Sequence, residues 1–148
     1  MLTSIEYKNI VVKWIEGVKF NNPFAITLTM RVNKFNDISQ NLRYFINRLN
    51  QRYLKSSYKV FKKRLKVIPI LEGNDVIHYH YHLIIDNPYN NRDEEFKKLI
   101  RECWRKTPPY NSSIDIKTMK DNGWIRYIMK SRSKKSIMDS IDWSNTQI

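Results

Sequence analysis

The alternation HYHYH at residues 78–82 restricts the fold more than any other segment, and it contains all three histidines of the chain. Side chains two positions apart lie on the same face of a β-strand. If residues 76–86 are extended, the odd-numbered side chains form an apolar face that packs against a core, while His78, His80 and His82 share the other face. Three imidazoles on one face indicate a metal or phosphate site. A row of solvated surface histidines is the alternative.

A β-hairpin is predicted around this strand. The runs RLKVIPILE and VIHYHYHLIID are separated by the turn residues GND. Because directly opposed residues of antiparallel strands share a face, a loop of three or five residues places Glu72 beside the histidines, whereas a loop of two turns it away. A carboxylate beside imidazoles predicts a two-histidine, one-carboxylate site. Its mixed nitrogen and oxygen donors suit Mn²⁺ or Mg²⁺ and would also bind zinc.

Other segments alternate between strand and helix patterns. FAITLTMRVN at 24–33 is rich in β-branched residues and predicts a strand, and residues 37–54 carry apolar side chains at helical spacing, with Asn36 or Asp37 as the cap. A second helix is predicted over 91–106, SSIDIKTM predicts a short strand, and GWIRYIMKSRSKK predicts a third helix. NIVVKWI, near the start, fits either a strand or a short helix.

This order predicts an α+β fold: a ferredoxin-like or RRM-like antiparallel sheet, with helices packed mainly on one face and the functional site on the other. A chain of 148 residues is expected to form one domain. The single cysteine, Cys103, falls on the apolar side of the second helix and is expected to be buried. No apolar run is long enough to span a membrane and no signal peptide is recognisable, so a cytoplasmic location is expected.

The charge balance indicates a polyanionic partner. There are 27 Lys and Arg against 14 Asp and Glu, a formal net charge of +13. Nucleic acid fits better than a membrane surface, because no basic amphipathic helix stands out. Residues 55–66 carry six positive charges and no negative one. This run is either a solvated surface or a loop that contacts phosphates.

The third predicted helix offers a nucleophile. At about 100° per residue, four apolar side chains lie on one side, while Tyr127 and Lys130 lie about 60° apart on the opposite side. A phenol with a pKa of about 10 is only about one thousandth ionised at neutral pH, a deficit of about 4 kcal/mol that a nearby metal and the Lys130 ammonium could reduce. As one of nine tyrosines, Tyr127 could instead have only a packing role.

Three segments resemble, in order and approximate spacing, the motifs of the HUH endonucleases that initiate rolling-circle replication: FAITLTM near the N-terminus, HYHLII at 80–85 and YIMK at 127–130. The resemblance extends over roughly residues 24–135. It implies a nicking domain over 1–135 and a C-terminal tail over 136–148. It also implies cleavage of single-stranded DNA at a replication origin. A host polymerase and helicase are implied as partners, since no GxxxxGK[ST] phosphate loop is present.

Carried over by position, the resemblance assigns roles to individual residues. Glu72, His80 and His82 would bind a divalent cation, Mn²⁺ or Mg²⁺. Tyr127 would attack a DNA phosphate, leaving a 5′-phosphotyrosine and a free 3′-hydroxyl. Lys130 would help to position that phosphate. Because one tyrosine stands in the helix, the chain resembles the single-tyrosine members of the group.

Further candidates and two alternatives complete the interpretation. His78 begins an overlapping match and is an auxiliary candidate as a ligand or a DNA contact. A single-tyrosine HUH transposase shares the chemistry, but Glu72 ahead of the histidines and the YxxK helix favour a replication initiator. A metal-free nucleic-acid-binding module explains the charge but not this set of residues. The expected setting is a bacterial, archaeal or virus-infected cell. The basic candidates for DNA contact are Lys59, Lys62, Lys63, Arg64, Arg126, Arg132, Lys134 and a basic position at 118 in SSIDIKTM.

Overall fold

A four-stranded antiparallel sheet forms the centre of the molecule. The computed structural model describes residues 3–30, 35–72, 79–107, 113–119, 121, 123–129 and 141–148. The strands are β1 (Pro23–Thr29), β2 (Val67–Glu72), β3 (His80–Asp86) and β4 (Ile114–Thr118). Their spatial order is β2-β3-β1-β4, and every neighbouring pair is antiparallel. The predicted hairpin is therefore present as β2 and β3, and the predicted α+β fold is confirmed.

Five helices and one 3₁₀ turn surround the sheet in the described part of the chain. They are α1 (Ser4–Gly17), α2 (Phe35–Leu54), α3 (Ser56–Lys59), α4 (Asp93–Arg105) and α5 (Gly123–Ile128), with the 3₁₀ turn at Trp143–Asn145. The three predicted helices correspond to α2, α4 and α5. Among the helices of the described ranges, none combines the length and the apolar composition that crossing a bilayer requires.

Helix α1 resolves the ambiguity of NIVVKWI. The Thr3 hydroxyl oxygen accepts a hydrogen bond from the N–H of Glu6 at 3.1 Å, and the Glu6 carboxylate accepts one from the N–H of Thr3 at 2.7 Å. This capping box satisfies two N–H groups that the start of a helix would otherwise leave without partners. Val12 and Ile15, one turn apart, are both buried. A helix therefore forms here.

Helix α2 starts earlier than predicted. It begins at Phe35, so Asn36 and Asp37 lie inside its first turn and neither is the capping residue that precedes it. Asp37 still interacts favourably with the positive end of the helix dipole. Helix α4 lies within the predicted range 91–106 and buries Cys103, as expected.

Alternation along the strands gives the sheet two apolar faces. On one face, the odd-numbered side chains of β3 and the even-numbered ones of β1 pack against α2 and α4. On the other face, Ile68, Ile70 and Ile84 pack against α1 and α5. The larger of the two cores lies on the first face, opposite the histidines. Helices α1 and α5 cover part of the second face and form a wall beside the histidines.

The segment 141–148 runs along the outer edge of β2. The N–H of Val67 donates to the carbonyl oxygen of Gln147 at 2.7 Å, and the N–H of Gln147 donates back at 2.9 Å. A second bridge joins Ile70 to Ile141, whose side chain is buried in the core that α1 and α5 share. The outer edge of β2 is therefore paired rather than open.

A buried carboxylate, Asp142, fastens this segment to the first core. It accepts hydrogen bonds from the side chains of Tyr81 (2.7 Å), Ser39 (3.0 Å), Asn145 (2.8 Å) and Ser144 (2.6 Å). Burial alone would raise the pKa of the Asp142 carboxyl, but these hydrogen bonds outweigh burial and hold it below its ordinary value. Burial and the Asp142 charge raise the pKa of Tyr81 well above its ordinary value. Because Tyr81 lies between His80 and His82, this network supports the histidine strand from behind.

Candidate active site

The hairpin register places Glu72 directly opposite His80, so Glu72 shares the histidine face as the odd-length loop predicts. Nε2 of His82 lies 3.0 Å from one carboxylate oxygen of Glu72, and Nε2 of His80 lies 3.7 Å from the other. One ligand atom from each of the three side chains lies within 4.8 Å of the others. Glu72, His80 and His82 therefore converge on one point, which we call the metal-ligand cluster.

The donors of this cluster fit a divalent cation. Two imidazole nitrogens and a carboxylate oxygen form a mixed set that first-row divalent ions accept. With neutral imidazoles the cluster has a net charge of −1, and a divalent ion changes it to +1, the sign that attracts a phosphate. His82 is buried, while Glu72 and His80 are half-buried and accessible from the cleft.

Thr27 supports the metal-ligand cluster from the neighbouring strand. β1 pairs with β3 so that Thr27 lies opposite His82, and its hydroxyl oxygen lies 3.2 Å from Nδ1 of that histidine. A partner on the second ring nitrogen fixes the orientation of a metal-binding imidazole. Thr27 belongs to the FAITLTM segment, so this segment contributes a polar contact to the site as well as a strand to the core.

Helix α5 brings Tyr127 to the same place. Ile125 and Met129 are buried and hold α5 against the second core, while the side chain of Tyr127 is 52% exposed. The ring centroid of Tyr127 lies 6.2 Å from that of His82. It also lies 5.4 Å from the ring of Trp124, on which it stacks with an interplanar angle of 24°. The phenol therefore stands beside the metal-ligand cluster on the open side of α5.

An open cleft of about 540 Å³ lies in front of the phenol, within the size range of small-ligand sites. Its walls combine the phenol and an imidazole with a cation from β4, the Lys117 ammonium, which lies 3.6 Å from the Asp115 carboxylate. Both β4 side chains are exposed. The lining residues are Thr27, His82, Asp115, Lys117, Gly123, Trp124 and Tyr127.

Two of the predicted basic contacts lie near this cleft, and one needs correction. Position 118 is occupied by Thr118, and the cation of β4 belongs to Lys117, which lines the cleft. Arg126 lies on α5 beside Tyr127, and its guanidinium lies 3.5 Å from the Glu16 carboxylate of α1. This ion pair ties α5 to α1 and partly compensates the charge of Arg126.

The remaining predicted residues fall outside the cleft or outside the described ranges. Lys59, Lys62, Lys63 and Arg64 lie between α2 and β2, at the end of the sheet away from the metal-ligand cluster. His78, Lys130, Arg132 and Lys134 lie outside the described residues, and their predicted roles stay predictions.

Thr27, Asp115 and Lys117 were not singled out by sequence analysis. Thr27 and Asp115 occupy the same row of the sheet as His82, because Thr27 pairs with His82 on one side and with Asp115 on the other. Only the register between strands distant in sequence shows this row. Nothing in the local pattern of IDIKT distinguishes a cleft-lining strand from an ordinary edge strand.

Comparisons with known proteins agree with this geometry. A family model described as a replication-associated protein of the ORF2 type matches residues 23–136, a range that contains β1, the metal-ligand cluster and Tyr127. A search of curated proteins and a search of solved structures each found no match.

Proposed function

Because the chain belongs to this family of replication-associated proteins, we propose that it is a metal-dependent endonuclease that nicks and rejoins a single DNA strand at a replication origin. The observation that carries this proposal is the position of Tyr127, whose ring lies 6.2 Å from the ring of His82. A nucleophilic side chain beside a cluster of metal-ligand type is the arrangement that phosphoryl transfer to a protein side chain requires.

The proposed reaction exchanges one ester bond for another. The phenolic oxygen of Tyr127 attacks phosphorus and forms a tyrosine–phosphate bond to the 5′ side of the DNA, while the bond from phosphorus to the 3′ oxygen breaks. Overall, the phenolic proton passes to the departing 3′ oxygen, so no further reactant is consumed. Attack by the 3′-hydroxyl on the phosphotyrosine reverses the step and rejoins the strand.

The protein residues hold and orient the reacting groups. Stacking on Trp124 restricts the ring of Tyr127, and the Lys117 ammonium provides a positive charge in the cleft for a DNA phosphate. Glu72, His80 and His82 would hold Mn²⁺ or Mg²⁺, which when bound supplies positive charge that stabilises the phosphate in the transition state. Lys130 is proposed to add a second cation from the residues that follow α5.

Two rival functions are less well supported. A single-tyrosine transposase would use the same chemistry, but the family match is to replication-associated proteins. A nucleic-acid-binding module without catalysis would account for the net charge of +13. It would not account for a carboxylate and two imidazoles that converge beside an exposed phenol.

A denaturing gel tests the proposal directly. The protein is incubated with labelled single-stranded DNA fragments from a replicon that encodes it, with Mn²⁺ or Mg²⁺ in one set and a chelator in the other. A labelled band at the mass of protein plus DNA, present with the ion and absent with the chelator, is the expected result. If the fragments span the whole replicon and no ion yields such a band, the proposal is wrong.

A further inference from the structure

We propose that the chain carries a second DNA-binding surface, separate from the cleft, which holds unpaired nucleotides. This inference goes beyond the proposed function and rests on it only in taking DNA as the nucleic acid. The surface follows α2 and precedes β2, and we call it the 55–64 surface. Its members are Lys55, Tyr58, Lys59, Val60, Phe61, Lys62, Lys63 and Arg64.

The charge of the 55–64 surface is not compensated by the acidic side chain nearest to it. Lys55 and Lys59 line a depression on the surface together with Glu95 of α4. The Glu95 carboxylate accepts two hydrogen bonds from the guanidinium of Arg92, at 2.9 and 3.0 Å. Its charge is therefore already paired within α4. The lysines remain available to phosphates, whose contacts dominate affinity for nucleic acid.

Exposed apolar side chains lie among these cations. Val60 is 65% exposed and Phe61 is 71% exposed, although both would be expected to avoid water. Next to them, the guanidinium of Arg64 lies over the ring of Tyr58, 4.0 Å from its centroid. Rings that stack with bases, flanked by cations that contact phosphates, are the combination that single-stranded nucleic acid recognition uses. A duplex, whose bases are already stacked, would leave the ring of Phe61 without a partner.

The backbone of the 55–64 surface is also unusual. Lys55 has φ 51° and Lys62 has φ 55°, both in the region that side chains other than glycine rarely adopt. Such conformations persist where the surrounding structure enforces them, and they are concentrated at binding and catalytic positions. Two of them, at either end of one short basic segment, indicate that its shape is held in place. A merely solvated run of lysines would have no need of them.

The 55–64 surface is far from the metal-ligand cluster. Val67 starts β2 and Glu72 ends it, so the two are about 17 Å apart along the strand. In addition, Tyr58 packs against the core on the α2 and α4 face, opposite the histidine face. A DNA strand that reaches both sites must pass around the sheet. At about 3.4 Å per stacked nucleotide, it needs more than about five nucleotides between them.

Binding measured in a chelator tests this surface without the cleft chemistry. The probe is a fluorescein-labelled 24-nucleotide oligothymidine, titrated at several salt concentrations in EDTA. The variant K59Q/K62Q/K63Q should lower the slope of log affinity against log salt by about two, because each single-strand phosphate contact contributes about 0.7. The matched control K98Q/R101Q/R105Q removes three exposed charges from the outer side of α4 and should change the slope by less than one. Equal changes in both variants would show a general charge effect and overturn the proposal.

A second variant tests the stacking. Phe61→Ala should weaken binding of the same oligothymidine on the order of tenfold and leave binding of a 24-base-pair duplex unchanged. Since Phe61 is exposed, circular dichroism should show an intact fold. Wild-type affinity of this variant for the oligothymidine would overturn the assignment to unpaired nucleotides. A failure to detect nicking would leave these measurements untouched, because EDTA excludes the metal-dependent reaction.

Discussion

Thr27 and Glu72 hold the two ring nitrogens of His82 from opposite sides: Nδ1 lies 3.2 Å from the Thr27 hydroxyl oxygen and Nε2 lies 3.0 Å from a Glu72 carboxylate oxygen. Without an ion, Nε2–H donates to the carboxylate, and Nδ1 accepts from the hydroxyl. Ion binding through Nε2 requires the proton to sit on Nδ1. A hydroxyl can accept that proton's hydrogen bond as well as donate its own, so Thr27 suits both states.

Replacing Thr27 with valine should therefore weaken metal binding. Valine keeps the shape and the strand preference but cannot hydrogen-bond to Nδ1. We expect Mn²⁺ affinity, measured by calorimetry, to fall by about 10-fold to 100-fold, the usual effect of removing a contact to a metal-binding imidazole. Thr29→Val, two residues along the same face of β1, is the control and should change affinity by much less. Equal losses in both variants would mean that the strand, not the Nδ1 contact, is responsible.

Replacing Tyr127 with phenylalanine should abolish the covalent adduct. The substitution removes the attacking oxygen and keeps the ring that stacks on Trp124, so affinity for single-stranded DNA and for Mn²⁺ should stay within about twofold of wild type. The adduct is measured on a denaturing gel. Tyr44→Phe removes another exposed phenol, on α2, and should form the adduct normally. A persistent adduct in Tyr127→Phe would assign the nucleophile to another residue.

Trp124 is expected to act on the rate rather than on metal binding. Its ring stacks on Tyr127 and lies edge-on to His82 at 5.6 Å. In Trp124→Leu the phenol should lose its fixed orientation, and the single-turnover rate of adduct formation should fall by about tenfold or more. Calorimetry should give an unchanged Mn²⁺ affinity. Trp143→Leu, which alters an exposed indole packed on Trp14, should keep the wild-type rate. A large loss of Mn²⁺ affinity in Trp124→Leu would instead show that Trp124 supports the ligands.

Asp142 should make the fold sensitive to acid. Its pKa is lowered in the folded state, so its contribution to stability is present above the unfolded value of about 3.9 and is lost as pH falls through the folded value. Asp142→Asn should destabilise the protein by about 2 kcal/mol at neutral pH, because charged hydrogen bonds are replaced by weaker ones. Denaturant unfolding at several pH values should also show a smaller loss of stability below about pH 4 in the variant than in wild type. Parallel pH curves would contradict this assignment.

Local patterns predicted the fold wherever a pattern is repeated within one segment. The alternation in β3 and the apolar spacing in α2 and α4 each extend over many residues, so the hairpin, its register and two helices could be anticipated. The segment NIVVKWI was ambiguous because Val11 and Val12 favour strands as single residues. The capping box at Thr3 and Glu6, which lies just before that run, decides for a helix.

The parts that could not be predicted depend on contacts between distant segments. Asp142 is buried although it is an acidic residue in a polar stretch, because its donors come from α2, β3 and the 3₁₀ turn. The same holds for Thr27, whose polar contact exists only through the pairing of β1 with β3. At the site, sequence could name the ligands and the phenol but not the side chains from β1 and β4 that surround them.

The pairing of segment 141–148 with the sheet edge has a consequence for the order of folding. Its polar contacts join residues far apart in the chain: Asn50 and Gln147 are separated by 97 positions, and Ser39 and Asn145 by 106. Closing loops of this length is slow, so these contacts should form after the local helices and the hairpin. During refolding, the helical signal should therefore return before the protein can bind Mn²⁺, since the back of the histidine strand is completed last.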